Sequence, residues 1–298
     1  MDIVTIFTKF KTQKACIKHL EKVRWNGKPK CAYCGSERIT KRSAEEAQHF
    51  RHHCGACNKS FSVTVGTIFH DTKLPIQKWL LAISIIVNAK KGISSRELGR
   101  QIGVSKDTAW RIQMQIRKAM ETQENATLFT GIVEADECYI GGKPKKGDKK
   151  KDDNDDFINK RGRGTKKQGV IGIVERESGK VVAKTQNEFT FEQLKNFISS
   201  RVDLSKATLY TDDFRAYKRF GKITKHASVN HSACEYSRDG IHTNTIEGFW
   251  GLFKRAIVGN YHKLSIKHLD KYIQECCFKY NNRMNKNVFD LVVKGGVK

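Results

Sequence analysis

A chain of 298 residues is long enough for two domains, or for one domain with appendages. Lys and Arg number 56 against 31 Asp and Glu, a formal charge of +25, more than solubility requires and suited to a polyanionic partner. The longest apolar run, Trp79 to Val87, is roughly half of the ~20 residues a spanning helix needs, and MDIVTIFTKFK has no signal-peptide core, so a cytoplasmic protein without membrane partners is expected.

In chain order, the first 25 residues show a short helical pattern (Cys16, Ile17, Leu20, Val23) that ends near Trp25. Next come Cys31-Ala-Tyr-Cys34 and Cys54-Gly-Ala-Cys57, with nineteen residues between the pairs. Each Cys-x-x-Cys forms a knuckle that aims two thiolates at one ion, and two knuckles complete a tetrahedron, so the spacing predicts one structural Zn²⁺ held by Cys31, Cys34, Cys54 and Cys57. The site has no open position for chemistry. His49, His52 and His53 lie between the knuckles as unneeded substitutes. The other five of the nine cysteines follow no pairing rule and read as small buried side chains.

Residues 71–125 are helical in character. PIQKWLLAISIIVNAK is apolar at helical spacing, Ser94-Ser-Arg-Glu97 offers a capping box for SSRELGRQI, Gly103 takes the turn, and Ser105 caps a third helix. In that third helix Ala109, Ile112, Ile116 and Met120 face inward. Helix, glycine-containing turn, helix is the arrangement that places its second helix in a DNA major groove. Lys106, Asp107, Thr108, Trp110 and Arg111 are therefore candidate DNA contacts, although Trp110 equally fits the core.

From about residue 126 the pattern changes to strands. GIVEADECYIGG places Ile132, Glu134, Asp136, Cys138 and Ile140 on one face and Val133, Ala135, Glu137 and Tyr139 on the other. An acid inside a buried pattern requires a reason. Residues 143–168, with 11 basic and 5 acidic residues, read as a mobile basic loop suited to phosphate backbone. GVIGIVER and KVVAKTQ, joined at Ser178-Gly179, give a hairpin; FEQLKNFISSRV an amphipathic helix; ATLYTDDF a strand ending in two acids. Asp212 stays in step with Leu209 and directly follows the strand, while Asp213 remains an alternate that could cap the next helix. In HTNTIEGFWGLFKRAI the stripe Ile246, Phe249, Trp250, Phe253, Ile257 makes a helix, with Glu247 and Lys254 two turns apart along its edge. Asn244-x-x-Glu247 is also a plausible capping pair, which would make Glu247 structural, and Asn244 is kept as an alternate ligand only on the resemblance given below. Two strand carboxylates and one helix carboxylate make a pocket for two hard divalent cations that act on phosphates.

VEADECYIGGK, YTDDFRAY, HTNTIEGFWGLFKRAIVG and LDKYIQECCFKYNNR, after a zinc ribbon and a helix-turn-helix, resemble bacterial insertion-sequence transposases of the DDE class. The branch is the one whose ribbon and helix-turn-helix precede an RNase H-like (ISXO2-like) domain. The departures are a long Lys/Asp-rich loop after GGKP and Cys138 where a hydroxyl residue is expected. The resemblance implies a multi-domain α+β and α/β protein. Residues 1–70 would carry a helix and the ribbon, 71–125 the helix-turn-helix, and 126–298 a mixed five-stranded RNase H-like sheet flanked by helices. Asp136, Asp212 and Glu247 would hold two Mg²⁺ or Mn²⁺ ions, used for cleavage and then strand transfer without a covalent enzyme–DNA intermediate. Lys254, Arg255 and His242 would hold DNA near the metals. Terminal inverted repeats and target DNA would be the partners of a homo-oligomer, at least a dimer. A non-catalytic DNA-binding regulator derived from a transposase and an RNase H-like nuclease are the competing functions.

Overall fold

The computed structural model describes residues 1–41, 51–121, 128–141, 167–230 and 237–298. His49, Cys234 and nearly all of the basic loop (143–166) lie outside these residues. The chain forms two compact units, one of residues 1–124 with 282–298 and one of residues 125–281.

In the first unit, α1 (Ile3–Lys9) and α2 (Gln13–Trp25) lead into a three-stranded antiparallel ribbon, β1 (Ile39–Lys41), β2 (His52–Cys54) and β3 (Ser60–Phe61). Then come α3 (Ile76–Asn88), α4 (Ser95–Ile102) and α5 (Lys106–Glu121). As the capping box predicts, Ser94 accepts from the Glu97 amide at 3.2 Å, and Ser105 accepts from Thr108 N at 3.2 Å. Gly103 ends α4 at φ 63°, a left-handed turn that glycine adopts without a Cβ penalty. Ala109, Ile112, Ile116 and Met120 are buried, whereas Trp110 is 37% exposed. The last helix, α10 (Val288–Gly296), packs in this unit; Gly296 O accepts from Ile68 N at 3.0 Å. Residues 282–298 thus join the first unit, not the domain of residues 126–298 that the resemblance implies.

The second unit is built on five strands in the order β6-β5-β4-β7-β8: β4 (Ile132–Ile140), β5 (Gln168–Glu175), β6 (Lys180–Gln186), β7 (Thr208–Asp212) and β8 (Lys225–Val229). The first three are antiparallel neighbours, and β4, β7 and β8 run parallel. The crossover from β6 to β7 contains α6 (Phe191–Ser199), and α7 (Arg215–Lys218) lies between β7 and β8. Strand alternation sets the two faces. Val133, Ala135, Ile171, Ile173 and Leu209 bury against Leu194, Phe197 and Ile198 of α6 and Tyr217 and Phe220 beyond it. The opposite face, with Glu134 and Asp136, receives α8 (Asn244–Ala256), while α9 (Leu269–Asn281) runs along the sheet edge.

That edge is closed by side chains. Asp270 accepts from the Thr185 amide and hydroxyl at 2.7 Å each, Gln274 donates to Ala183 O at 3.2 Å, and Asn281 both accepts from and donates to Val181 at 2.7 and 2.8 Å. One face of α9 therefore satisfies alternate backbone groups of the edge strand β6, which would otherwise offer a template for another strand.

Candidate active site

Pairing between β4 and β7 ends at Ala135–Thr211, one residue before both Asp136 and Asp212. Beyond that point β4 has no strand paired on its β7 side among the described residues, and the two acids stand at the carboxyl ends of adjacent parallel strands. Carboxylate oxygens of Asp136, Glu137 and Asp212 lie within 4.8 Å of one another there. Asp213 points away into an ion pair with Lys218 at 3.0 Å, and Asp212 Oδ1 accepts from the Phe214 amide at 3.2 Å. Glu137 was placed on the opposite face by simple alternation. It enters the cluster where β7 ends, with its Oε2 accepting from the buried Tyr217 hydroxyl at 3.1 Å.

Glu247 comes from α8 and stands outside the group of three, but its charge acts on it. Burial, then the negative charges of Glu137, Asp212 and Glu247, push the Asp136 carboxyl up to about 8. A buried acid pushed further up by neighbouring carboxylates is one that a bound cation would relieve, so these oxygen donors fit a hard divalent metal. Thr243 Oγ1 donates to Glu247 Oε1 at 2.9 Å.

The alternative Asn244–Glu247 capping pair does not form. The residue preceding the helix is Thr243, and its first-turn amides go instead to Glu134 on β4: Thr245 N at 2.9 Å and Ile246 N at 3.0 Å, both to Oε2. Oε1 accepts from Thr245 Oγ1 at 2.8 Å and from Arg176 Nε at 2.6 Å. Arg176 also donates to Gly240 O (2.9 Å), His242 O (2.8 Å) and His242 Nδ1 (2.8 Å). His242 is thereby committed to this network. Glu134 is fully buried. Sequence reading noted it beside Asp136 without assigning it a role; the signal was a second acid on the same buried face. Lys254 and Arg255 are exposed at the end of α8. Burial raises the Cys138 thiol to about 11, and the neighbouring Lys254 ammonium opposes that rise.

In the first unit the sulfurs of Cys31, Cys34, Cys54 and Cys57 all lie within 4.8 Å of one another, with Cys31–Cys57 and Cys34–Cys54 at 3.6 Å. Four bonds of ~2.3 Å to a tetrahedral zinc would separate sulfurs by roughly 3.8 Å, so the set fits that ion. The Cys57 amide, above all, holds the Cys54 thiol down to about 6. His52 is not needed as a ligand: its Nε2 meets Glu21 Oε1 at 2.9 Å. On α5, Lys106 pairs with Asp107 at 3.3 Å, Thr108 Oγ1 accepts from Ser105 Oγ at 2.9 Å, and Arg111 is exposed.

Strand order, strand direction and acids at the carboxyl ends of adjacent parallel strands define the second unit as an RNase H-like domain with a metal-suited acidic centre. Residues 129–281 match the family model described as the ISXO2-like transposase domain, and residues 11–60 match the transposase zinc-ribbon domain. The chain belongs to the ISXO2-like transposase family. It is 26% identical over 252 residues to an uncharacterized protein in transposable element ISH50 of Halobacterium salinarum, covering 83% of each chain. Among solved structures it is similar to the Mos1 transposase paired-end complex with the left transposon end (13% identity, TM-score 0.29, 73% of this chain and 78% of that one). It is also similar to the HTLV-2 integrase catalytic core with magnesium (14% identity, TM-score 0.29, 54% and 89%). At such low scores the fold assignment rests on the strand order itself.

Proposed function

We propose that this protein is a DNA transposase that binds the ends of an insertion sequence and catalyses phosphodiester cleavage and strand transfer at the acidic centre. The observation that carries the reading is the convergence of Asp136, Glu137 and Asp212, with the Glu247 charge bearing on them. Asp136, Asp212 and Glu247 would hold two Mg²⁺ or Mn²⁺ ions, with Glu137 within reach of the same site. Such ions, when bound, activate an attacking oxygen and stabilise the leaving oxygen at phosphorus. The Thr243 hydroxyl fixes one Glu247 oxygen, and Tyr217 fixes one of Glu137. Lys254 and Arg255 supply exposed positive charge on the helix that carries Glu247.

The first unit is assigned to DNA recognition. Its four thiolates would hold one structural Zn²⁺, and Lys106, Thr108 and Arg111 in the early turns of α5 would contact the terminal repeats. Processing of two ends calls for at least a dimer on DNA. Among the described residues no helix is long and apolar enough to cross a membrane, and the charge of +25 favours a place on DNA in the cytoplasm.

The test is Mg²⁺-dependent cleavage and joining of labelled element-end DNA by the wild type beside Asp136→Ala, Asp212→Ala and Glu247→Ala. Cutting and joining by the wild type, lost in all three variants that still bind DNA, supports the proposal. Tight binding without cleavage under any divalent ion favours the DNA-binding regulator.

A further inference from the structure

Glu247 has to meet strand-borne acids at a defined separation, yet it is carried by a helix. The contact that docks that helix is made by Glu134. In α8, Thr245 and Ile246 occupy the second and third helical positions, whose amides have no intrahelical acceptor. A capping side chain normally serves them from the preceding residue. Here the Thr243 hydroxyl is turned to Glu247 instead, and both amides donate to Glu134 Oε2 from across the sheet.

Glu134 has no spare valence for a metal. Oε1 is occupied by Arg176 Nε and Thr245 Oγ1, Oε2 by the two amides, and the side chain is fully buried. It stands two residues from Asp136 on the same face of one strand, a step of about 6.6 Å. Its negative charge sits at the positive end of α8. Arg176 completes the clamp by donating to the carbonyls of Gly240 and His242 in the segment entering the helix.

We propose that Glu134 is a positioning residue: its carboxylate, fixed by Arg176, acts as a long-range cap that places Glu247 over the site formed by Asp136 and Asp212. This inference rests on the reading of Glu247 as the third metal ligand. Substitution by Gln puts an NH₂ against either Arg176 or the two amides, all of them donors, so contacts are lost whichever way the amide turns.

Binding Fe²⁺ in place of Mg²⁺, with ascorbate and peroxide, makes the ion cut nearby backbone and reports which segments surround it. In the wild type, cuts are expected near residues 136, 212 and 243–247. Glu134→Gln should keep the first two and lose the third by at least about tenfold, since hydrogen bonds to a charged group are worth roughly 1.5–3 kcal/mol. Hydrogen exchange of the β4–β5 ladder shows whether the sheet stays folded. Should Glu134→Gln unfold it, Thr245→Val decides: it removes one bond, keeps the charge, and should weaken the 243–247 cut by about threefold, as loss of an ordinary hydrogen bond would. Undiminished cutting at 243–247 in a folded Glu134→Gln, or in Thr245→Val where only that variant folds, overturns the positioning role alone. A wild type that cuts near 136 and 212 but never near 243–247 overturns the Glu247 assignment and the positioning role with it.

Discussion

Asp136 stands opposite Gly172 in the β4–β5 ladder, and this glycine is where α8 comes down on the sheet. A Cβ at Gly172 would lie 2.6 Å from Trp250 Cζ2, 2.7 Å from Cη2 and 3.2 Å from Ile246 Cδ1. The helix carrying Glu247 thus comes down close to the sheet beside Asp136 because the neighbouring strand has no side chain at that place.

Gly172→Ala is therefore expected to push α8 outward and destabilise the second unit by about 1–3 kcal/mol, the usual cost of overpacking. Urea midpoints check the stability. Mn²⁺ affinity should fall as well, since Glu247 would move with the helix.

The three proposed ligands should behave unequally from Glu137. Asp136→Ala, Asp212→Ala and Glu247→Ala should each lower cleavage by at least about 10³-fold, because metal-borne charge stabilisation is worth several kcal/mol. Glu137→Gln keeps a hydrogen-bond acceptor for Tyr217 and should cost less, chiefly by raising the Mn²⁺ concentration needed for half-maximal rate. Equal losses in all four would make Glu137 a ligand of the same rank.

Zinc content should be one ion per chain by atomic absorption. Cys54→Ser or a strong chelator should unfold the β1–β3 ribbon, whose buried apolar centre among the described residues is small, with Cys31, Cys54 and Phe61 at its middle. Because the four thiols must be deprotonated to hold the ion, acidification should release it.

Stability should fall on mild acidification through His226. Burial lowers its pKa in the folded chain, while unfolded histidine titrates near about 6.5. Below ~6.5 the unfolded state binds the extra proton, so the stabilisation present above that pH is lost as the pH falls toward the folded-state value. His226 Nε2 meets Thr211 Oγ1 at 2.9 Å, a contact Gln can keep. His226→Gln should flatten the drop in urea midpoint between pH 7 and 5.

On the DNA side, Lys106→Ala and Arg111→Ala should weaken binding to element-end DNA. A lost phosphate contact reduces the slope of log K against log salt by about 1, whereas a lost base contact costs about 1–3 kcal/mol and relaxes specificity. Titrations at several salt concentrations separate the two and leave cleavage chemistry out of the comparison.

Local patterns were legible because they depend on neighbours in sequence. Two Cys-x-x-Cys pairs, the Ser94 helix cap, the alternation around Asp136 and the apolar stripe of α8 all reappear in the structure, since knuckles, caps and periodicities are set within a few residues. Asp212 rather than Asp213 joins the acids, as its step with Leu209 indicates.

What the fold alone decided are the contacts between segments distant in the chain. Glu137 keeps the face that alternation gives it, where it meets Tyr217, and its carboxylate reaches the other acids at the point where β4 loses its β7 neighbour after Ala135, a matter of where another strand ends. The Asn244–Glu247 cap gave way to Glu134, more than a hundred residues earlier, because a buried carboxylate needs donors and the first turn of α8 needs acceptors. Residues 282–298 went to the first unit because the apolar faces of α3 and α5 are there to cover α10. A sequence states which groups must be satisfied; only the packed chain determines which distant partners satisfy them.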